Sequence, residues 1–427
     1  MRERRTLVSA IKLLNAESSE SSAFGPLPRR SFLKIAAGVI GGGIVGGSLP
    51  AFAAQLIQMP FANGSRELVR FPQKGEMILL RERPPLLETP FEVFDRGVFT
   101  PNDQFFVRWH LPVIPTSIDV NTFRLRVDGH VRTPIEFTLK EILRQPEAEL
   151  AAVNQCSGNS RGFSSPRVPG GEWGNGGMGN ALWTGVTLKS ILDRAGVLPG
   201  AVQVRFNGLD TGEVPETPLF MKSLAIDHAM DGEVMVAYGM NGTQLPMLNG
   251  FPLRLVVPGW YSTYWVKMLS HIEVLDRPDD NYWMHTAYLI PDTPGGTMVP
   301  DAKGVKMIPI NRMVPRSFIT NLRDNATVRG GVPIEVRGIA FGGDTGVKSV
   351  AFSADGGAIW QNAALGKDYG RYSFRRWQTS FVPKQPGIYK FMANATNSNN
   401  LSQPAASTWN PGGFMRNVIE RVTIHTA

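Results

Sequence analysis

The stretch NQCSGNSR at residues 154–161 contains Cys156, the single cysteine in a chain of 427 residues. One cysteine can form neither an internal disulfide nor a zinc or iron–sulfur site built from several thiolates. Three uses stay open: a small buried residue, a nucleophile, or one thiolate ligand of a metal held mostly by another group. The glycine and asparagine beside the thiol predict a tight loop that approaches a bulky group closely.

Upstream of this loop, the stretch TPNDQFFVRWH at residues 100–110 alternates in the manner of a strand. Side chains repeat every two residues along a strand, so Arg108 and His110 are predicted to share one face. A cation beside an imidazole suits an anion or a phosphorylated group. The alternative is an exposed polar face on an edge strand.

Downstream, the stretch LNGFPLRLVVPG at residues 248–259 places Arg254 inside an apolar, strand-like run. A buried arginine is costly unless it is paired or bound to an anion, so this position predicts an anion site. The chain has no Walker loop, and an ATP site is therefore not indicated; a nicotinamide site is not indicated either.

Composition bounds the class of protein. Glycine (45), proline (32) and a charged fraction of 19% predict a loop-rich chain with much β-structure, divided into about two domains. The net charge of +8 comes without a basic cluster interleaved with aromatics, which argues against nucleic acid as a partner. No membrane span is predicted, because the apolar run near the N-terminus is short and rich in glycine.

The chain is predicted to divide into four segments. Residues 1–53 read as a twin-arginine export signal, with RRSFLK at residues 29–34 and AFA at residues 51–53, which predicts export of the folded protein to the periplasm. Residues 54–90 are expected to form an N-terminal arm that wraps the next domain. Residues 91–295 are expected to form a mixed α/β domain, and residues 305–427 an immunoglobulin-like β-sandwich, which makes the fold class α+β.

Two of these segments carry explicit element predictions. Helical character is predicted for residues 139–145 and 187–195. Strands of the sandwich are predicted at residues 317–321, 334–340, 347–353, 374–381, 387–393 and 418–425.

Taken together and in order, the motifs resemble the sulfite oxidase family of molybdenum enzymes. The shared pattern is T-P-N-x-x-F-F-V-R-x-H, then Q-C-x-G-N, then W-x-G, then N-G, G-F-P-x-R, P-G and V-K, over about residues 90–275. The stretches at residues 248–252 and 258–261 are most similar to the periplasmic bacterial sulfite dehydrogenases that are linked to cytochrome c. Asn249 departs from the histidine that is more common at its position.

The resemblance implies one molybdenum–molybdopterin cofactor per chain, with Cys156 as the protein ligand of the metal. It implies catalytic roles for Arg108, Arg161, Trp173, Tyr288 and Arg375 and cofactor-binding roles for His110, Cys156, Asp210, Asn249, Arg254 and Lys267. Tyr282 is the rival of Tyr288, and Arg376 is the rival of Arg375.

The implied reaction is the oxidation of sulfite to sulfate, with electrons passed singly to a c-type cytochrome or a haem subunit. With one cysteine the chain has no C-x-x-C-H motif, so no haem is expected on it. A homodimer through the C-terminal domain is also implied. Two alternatives stay open: the sulfane dehydrogenase subunit of a sulfur-oxidising complex, and a secreted immunoglobulin-like binding protein with an inert cysteine.

Overall fold

The computed structural model describes residues 55–426. The predicted export signal at residues 1–53 lies outside the described residues. Within residues 55–426, no helix combines the length and the apolar character that crossing a bilayer requires.

The first sheet is antiparallel and its strands follow one another in chain order. They are β1 (Leu56–Gln58), β2 (Ser65–Arg70), β3 (Glu76–Arg81), β4 (Leu86–Glu88) and β5 (Val107–Arg108). Met77, Leu87 and Trp109 are buried in its apolar core. The segment expected to form an N-terminal arm contributes four strands of this sheet, and the buried residues of β3 and β4 hold it against the core.

Two further sheets form the body that carries the cysteine loop. Their strands are β6 (Arg124–Gly129), β7 (Ile135–Thr138), β8 (Ala148–Gln155), β9 (Met178–Thr187), β10 (Gln203–Asn207), β11 (Met221–Ala225), β12 (Met235–Met240), β13 (Thr243–Gln244), β14 (Arg254–Val256) and β15 (His271–Leu275). One sheet has the order β11-β10-β15-β6-β7, and the other has the order β13-β12-β9-β8 with β14 on β12. Strand β8 pairs with β9 up to Gln155, and the cysteine loop follows directly.

The helices are short, so the expected mixed α/β domain is in fact rich in sheet. They are α1 (Val93–Arg96), α2 (Leu139–Ile142), α3 (Leu188–Ala195), α4 (Ile226–Ala229) and α5 (Tyr282–His285). Both predicted helices form, and each begins after a threonine cap: Thr138 accepts from the backbone N–H of Glu141, and Thr187 from that of Ser190. Three-residue 3-10 turns occur at Asn102–Gln104, Arg161–Phe163, Met247–Asn249, Ser262–Tyr264 and Pro294–Gly296.

The C-terminal part is built from strands alone among the described residues. A two-stranded ribbon of β16 (Leu289–Pro291) and β17 (Met307–Pro309) precedes it. The remaining strands are β18 (Arg316–Ile319), β19 (Ala326–Val328), β20 (Ile334–Phe341), β21 (Val347–Ser353), β22 (Gln361–Asn362), β23 (Ala364–Leu365), β24 (Arg375–Phe381), β25 (Gly387–Asn397) and β26 (Arg421–Thr426). They form two sheets, β18-β20-β24-β23 and β19-β26-β25-β21-β22.

A shared apolar core holds these two sheets together as a sandwich. It includes Val336 and Trp377 from the first sheet and Phe352 and Phe391 from the second. A second core joins the sandwich to the rest of the chain, because it contains residues of β8, β9, β18 and β20. Its buried members are Phe94, Val153, Met178, Tyr261, Ile290, Ile310, Met313, Phe318, Ile339, Phe341, Phe374 and Met415.

Candidate functional site

A cavity opens where the first sheet, the cysteine loop and the segment after β12 meet. Most of the predicted site residues line it. The lining consists of Phe106, Arg108, His110, Asn154, Cys156, Ser157, Phe220, Leu248, Asn249, Arg254, Ser262, Thr263, Lys267 and Tyr288.

Cys156 begins the loop that follows β8, and its side chain is buried with 4% of the residue exposed. Its backbone N–H donates to Gly177 O at 2.8 Å, and its carbonyl accepts from Asn159 N at 3.0 Å. A Cβ on Gly158 would lie 2.4 Å from Cζ of Arg161, so a side chain there would have to displace the flexible guanidinium. The close approach predicted for this loop is therefore to the Arg161 guanidinium.

Glu88 fixes the segment that faces the cysteine loop. Its carboxylate accepts the backbone N–H of Gly174 at 2.9 Å and that of Gly176 at 2.8 Å. Burial raises the pKa of Glu88 to about 7, although both hydrogen bonds act in the opposite direction. Trp173 in this segment is buried and packs edge-on against Phe106 at 6.1 Å, behind the cavity wall. Trp173 thus supports the lining rather than forming it.

Arg254 lines the cavity and is 4% exposed. Its Nη1 donates to Asn249 O at 2.9 Å and its Nη2 to Asn154 Oδ1 at 3.1 Å. The guanidinium is packed near the rings of Trp183 and Trp265, at 5.2 and 5.8 Å. Among residues 55–426 no carboxylate pairs with it, and burial lowers its pKa to about 9.

Two lysines lie near Arg254. Lys267 lies over the ring of Trp109 at 4.4 Å, and Asp210 is its acidic neighbour. Burial lowers the pKa of Lys267 and raises that of Asp210. Lys74, which sequence reasoning missed, donates to Asn102 O at 2.7 Å and to the side-chain oxygen of Asn249. Its pKa falls to about 7, mainly through burial.

The side chain and the carbonyl of Asn249 are therefore already engaged in hydrogen bonds within the protein. Its side-chain oxygen accepts from Lys74, its amide donates to Phe106 O at 3.2 Å, and its carbonyl accepts from Arg254. The next residue, Gly250, packs closely on Lys267, since a Cβ on Gly250 would lie 3.1 Å from Lys267 Cβ. The turn at Asn249 and Gly250 thus contacts three cations, which are Lys74, Arg254 and Lys267.

His110 and Tyr288 both line the cavity and contact each other. His110 Nε2 and Tyr288 Oη are 2.6 Å apart, and Phe220 stacks on the imidazole at 3.5 Å. Burial, followed by the charges of Arg108, Lys267 and Lys222, lowers the pKa of His110 well below its usual value. The imidazole is therefore neutral and can accept a hydrogen bond from the tyrosine hydroxyl, whose own pKa is raised by burial.

The backbone of Tyr288 is strained, with a φ of +59°. A bulky residue with this conformation is an outlier that persists only where its surroundings fix it. Phe414 stacks on the Tyr288 ring at 5.3 Å with 12° between the planes, and Tyr288 O accepts from Ile310 N at 2.8 Å. The rival Tyr282 is 46% exposed on α5 and does not line the cavity.

Two cations lie near the Tyr288 ring, and a third lies over the neighbouring Phe414 ring. The Arg108 guanidinium lies 5.9 Å from its centre, and Arg108 Nη1 donates to Trp109 O at 2.9 Å. Lys222, also missed from the sequence, is fully buried, lies 5.7 Å from the ring and donates to Trp283 O at 2.7 Å. Arg161 does not line the cavity and lies over the Phe414 ring at 5.1 Å.

Arg375 does not reach the cavity. On β24 it donates to Gly366 O at 3.1 Å and pairs with Asp368 at 3.1 Å. Phe374 points into the core, and the next side chain along a strand faces the opposite side. Its rival Arg376 lies 3.8 Å from Asp95 and also does not line the cavity.

The donors around the cavity suit a buried polar anion. Five of the lining residues carry a buried polar atom with no hydrogen-bond partner among the described residues: His110 Nδ1, Asn154 Nδ2, Ser157 Oγ, Arg254 Nε and Thr263 Oγ1. Such atoms are costly unless a ligand or water satisfies them. Within residues 55–426 no three histidine, cysteine or acidic side chains form a metal site, so a metal held by Cys156 needs further ligands from a cofactor. A phosphorylated cofactor that brings its own metal therefore fits this cavity.

Two protein families match the chain in sequence. The oxidoreductase molybdopterin binding domain matches residues 110–283, and the Mo-co oxidoreductase dimerisation domain matches residues 307–427.

Mitochondrial sulfite oxidase of Mus musculus is 33% identical over 361 residues, which cover 80% of this chain and 64% of the mouse protein. Sulfite oxidase of Gallus gallus is 32% identical over 382 residues, which cover 85% of this chain and 80% of the chicken protein. The chain thus spans just under two thirds of the length of the mammalian relatives. A solved structure, the sulfane dehydrogenase SoxCD from Paracoccus pantotrophus, has the same fold. It superposes with a TM-score of 0.68 at 22% identity and covers 94% of this chain and 97% of that one.

Proposed function

The chain belongs to the sulfite oxidase family of molybdenum enzymes, and from this premise we propose that it oxidises sulfite to sulfate and passes the electrons to a c-type cytochrome. The observation that carries the proposal is the cavity itself. It joins the single thiol of the chain to a set of buried cations, of which Arg254 has no carboxylate partner among the described residues.

When bound, the molybdopterin cofactor supplies the two-electron chemistry, and the Cys156 thiolate is a soft ligand that suits its metal. Arg254 and Lys267 would hold the anionic part of the cofactor, because both cations line the cavity. Asn249 orients Arg254 through its carbonyl, and Asp210 balances part of the charge of Lys267.

Sulfite is a small oxyanion, and the cations near Tyr288 provide its binding charge. Arg108 lies in the lining, and Arg161 lies beside the cysteine loop over Gly158. A charge-assisted hydrogen bond to an anion contributes about 1.5–3 kcal/mol, so two arginines make a dianion site of useful affinity.

Oxidation of sulfite with water releases two protons together with two electrons. The contact between His110 Nε2 and Tyr288 Oη offers a hydrogen-bonded route for a proton away from the substrate, and the lowered pKa of His110 makes the imidazole a relay rather than a store for it. With Nε2 accepting from Tyr288, Nδ1 carries the proton of the neutral ring, and it has no hydrogen-bond partner among the described residues.

The setting of the enzyme follows from the remaining sequence features. We propose periplasmic export by the twin-arginine signal and electron transfer to a separate c-type cytochrome, since one cysteine cannot form the C-x-x-C-H motif that attaches a c-type haem. The C-terminal sandwich is proposed to be immunoglobulin-like and to form a homodimer, supported by its two sheets and by the dimerisation domain match.

The test is an assay of purified, molybdenum-loaded protein with sulfite or thiosulfate as donor and ferricyanide or cytochrome c as acceptor. We expect sulfite-dependent reduction of both acceptors. Turnover with a sulfane-sulfur donor but none with sulfite would select the sulfane dehydrogenase alternative. Protein without molybdenum or pterin after expression in a host that makes the cofactor would contradict both.

A further inference from the structure

The segment Asn410–Met415 of the C-terminal part lies against the cysteine loop. Asn410 closes it into a tight turn: its side chain donates to Phe414 O at 2.9 Å and accepts from Phe414 N at 3.0 Å. Met415 has a φ of +61°, and its N–H donates to Ser157 O at 3.1 Å. The turn therefore fixes the position of Phe414. The next residue, Met415, is bonded to Ser157, which follows Cys156 in the chain.

The ring of Phe414 contacts two side chains, Tyr288 and Arg161, at the part of the site proposed to bind sulfite. On one face of its ring lies Tyr288, stacked at 5.3 Å with 12° between planes. The Arg161 guanidinium lies over the ring at 5.1 Å. These three side chains come from three distant segments of the chain, and the phenyl ring is the element that touches both of the others.

The position of Arg161 depends on this turn in two ways. Its Nε donates to Gly412 O at 2.8 Å, and the ring of Phe414 supports the guanidinium through a cation–π contact. A phenyl ring carries no oxygen that would occupy the remaining N–H groups, unlike a carboxylate. One of them makes a long contact of 3.3 Å to Gly171 O, so the guanidinium keeps donors for an anion.

We propose that Phe414 is a positioning residue through which the C-terminal part shapes the oxyanion side of the site, acting through Arg161 and Tyr288. The inference rests on the proposed function for the identity of the anion, a sulfur oxyanion. The role of Phe414 itself does not depend on which anion binds. Its aromatic face orients the Arg161 guanidinium and the strained Tyr288 without neutralising the charge of the arginine.

The experiment compares Phe414→Leu and Phe414→Tyr in the full-length, molybdenum-loaded enzyme. Leucine keeps apolar volume but removes the ring, so we expect KM for sulfite to rise about tenfold while kcat stays within about threefold. Tyrosine keeps the ring and is expected to restore KM to within about threefold of the wild-type value.

The matched control is Phe137→Leu, because Phe137 also lies beneath an arginine, Arg194 at 4.7 Å, and does not line the cavity. We expect this variant to lower the melting temperature without changing KM. A Phe414→Leu enzyme with the KM of the wild type would overturn the proposal. So would Leu and Tyr variants that raise KM equally.

A readout without turnover separates this inference from the proposed function. Sulfate, which resembles the substrate in charge, is titrated into the wild type and the Phe414→Leu variant, and its affinity is measured from the shift in melting temperature. Weaker sulfate binding in the variant supports the role of Phe414 even if the wild type fails to oxidise sulfite. Equal sulfate affinity would overturn that role whatever the enzyme oxidises.

Discussion

Arg254 in the cavity and Arg316 in the C-terminal sandwich are both buried arginines, exposed by 4% and 0%, but their surroundings differ. Arg316 donates to Glu420 Oε1 and Ser160 Oγ, each 3.0 Å away. Arg254 donates to a carbonyl and to an amide oxygen, and no carboxylate among the described residues pairs with it. The carboxylate makes Arg316 part of the scaffold, whereas Arg254 needs an anion from outside the chain.

The same contrast extends to the neighbouring cations of each region. In the sandwich, Arg337 pairs with Asp95 at 2.7 Å and Arg375 with Asp368 at 3.1 Å. At the cavity, the buried Lys74 and Lys222 donate to backbone carbonyls. These two cations of the sandwich are thus partly exposed and paired with carboxylates, whereas the lysines at the cavity are buried and donate to neutral oxygens.

The largest effect is expected at Cys156, the thiol proposed to be the protein ligand of the metal. Cys156→Ser should lower sulfite turnover by at least about a hundredfold, because the soft thiolate ligand is lost. Steady-state rates per bound molybdenum measure this, and the melting temperature of metal-free protein provides the control for folding. Turnover within tenfold of the wild type would remove Cys156 from the site.

The pair Arg254→Met and Arg316→Met tests the comparison directly. Removing the paired Arg316 should lower the free energy of unfolding by about 3 kcal/mol. Removing the unpaired Arg254 should leave the unfolding free energy of cofactor-free protein within about 1 kcal/mol, while the content of pterin and molybdenum falls.

Urea unfolding and metal analysis distinguish the two variants. If Arg254→Met retains a full complement of cofactor, the unpaired cation is not part of the cofactor site.

The arginines near the substrate give a third contrast, between Arg108 and Arg375. Arg108→Gln should raise KM for sulfite by about tenfold to a hundredfold, because a charge-assisted contact of about 1.5–3 kcal/mol is lost. Arg375→Gln should leave KM within about twofold, because its guanidinium is engaged with Asp368. Equal KM values for the two variants would contradict the placement of these residues.

The smallest effect concerns the pH dependence of stability. Burial lowers the pKa of Lys222 from 10.5 to about 7 in the folded, cofactor-free protein. Between these values the unfolded chain binds more protons, so the free energy of unfolding should rise with pH from about 7 to 10, by on the order of 1–3 kcal/mol.

Lys222→Met should reduce that rise but not abolish it, because the pKa values of Lys74 and Lys267 are lowered as well. Lys306→Met should not change it, because Lys306 is exposed and paired with Asp292 at 2.8 Å. Urea unfolding at several pH values measures both slopes. A Lys222→Met protein with the slope of the wild type would show that this lysine is not held in a neutral form.

Much of the fold could be predicted because its signals are local. The strands predicted at residues 334–340 and 347–353 correspond to β20 and β21 within a residue, since alternation marks a half-buried strand. The segment at residues 54–90 was harder, because its many prolines and charges obscured four strands that pair only with their neighbours.

For the site, the motifs correctly identified residues that lie together, including Arg108, Cys156 and Tyr288. Lys74 could not be found this way, because it meets Asn249 across 175 positions and belongs to no motif. Arg375 was misplaced for another reason: the choice of strand face depends on the core that Phe374 enters, and spacing alone does not reveal it.

The hydrogen bond between Arg161 and Gly412 has a consequence for biosynthesis. Its partners are 251 positions apart, so the ribosome makes Gly412 long after Arg161. The cysteine loop gains this contact, and that of Met415 with Ser157, only once the C-terminal segment has been translated. Completion of the pocket is therefore a late event in the life of the nascent chain. A quality-control step that recognises this segment would distinguish completed chains from chains whose cysteine loop still lacks these two contacts.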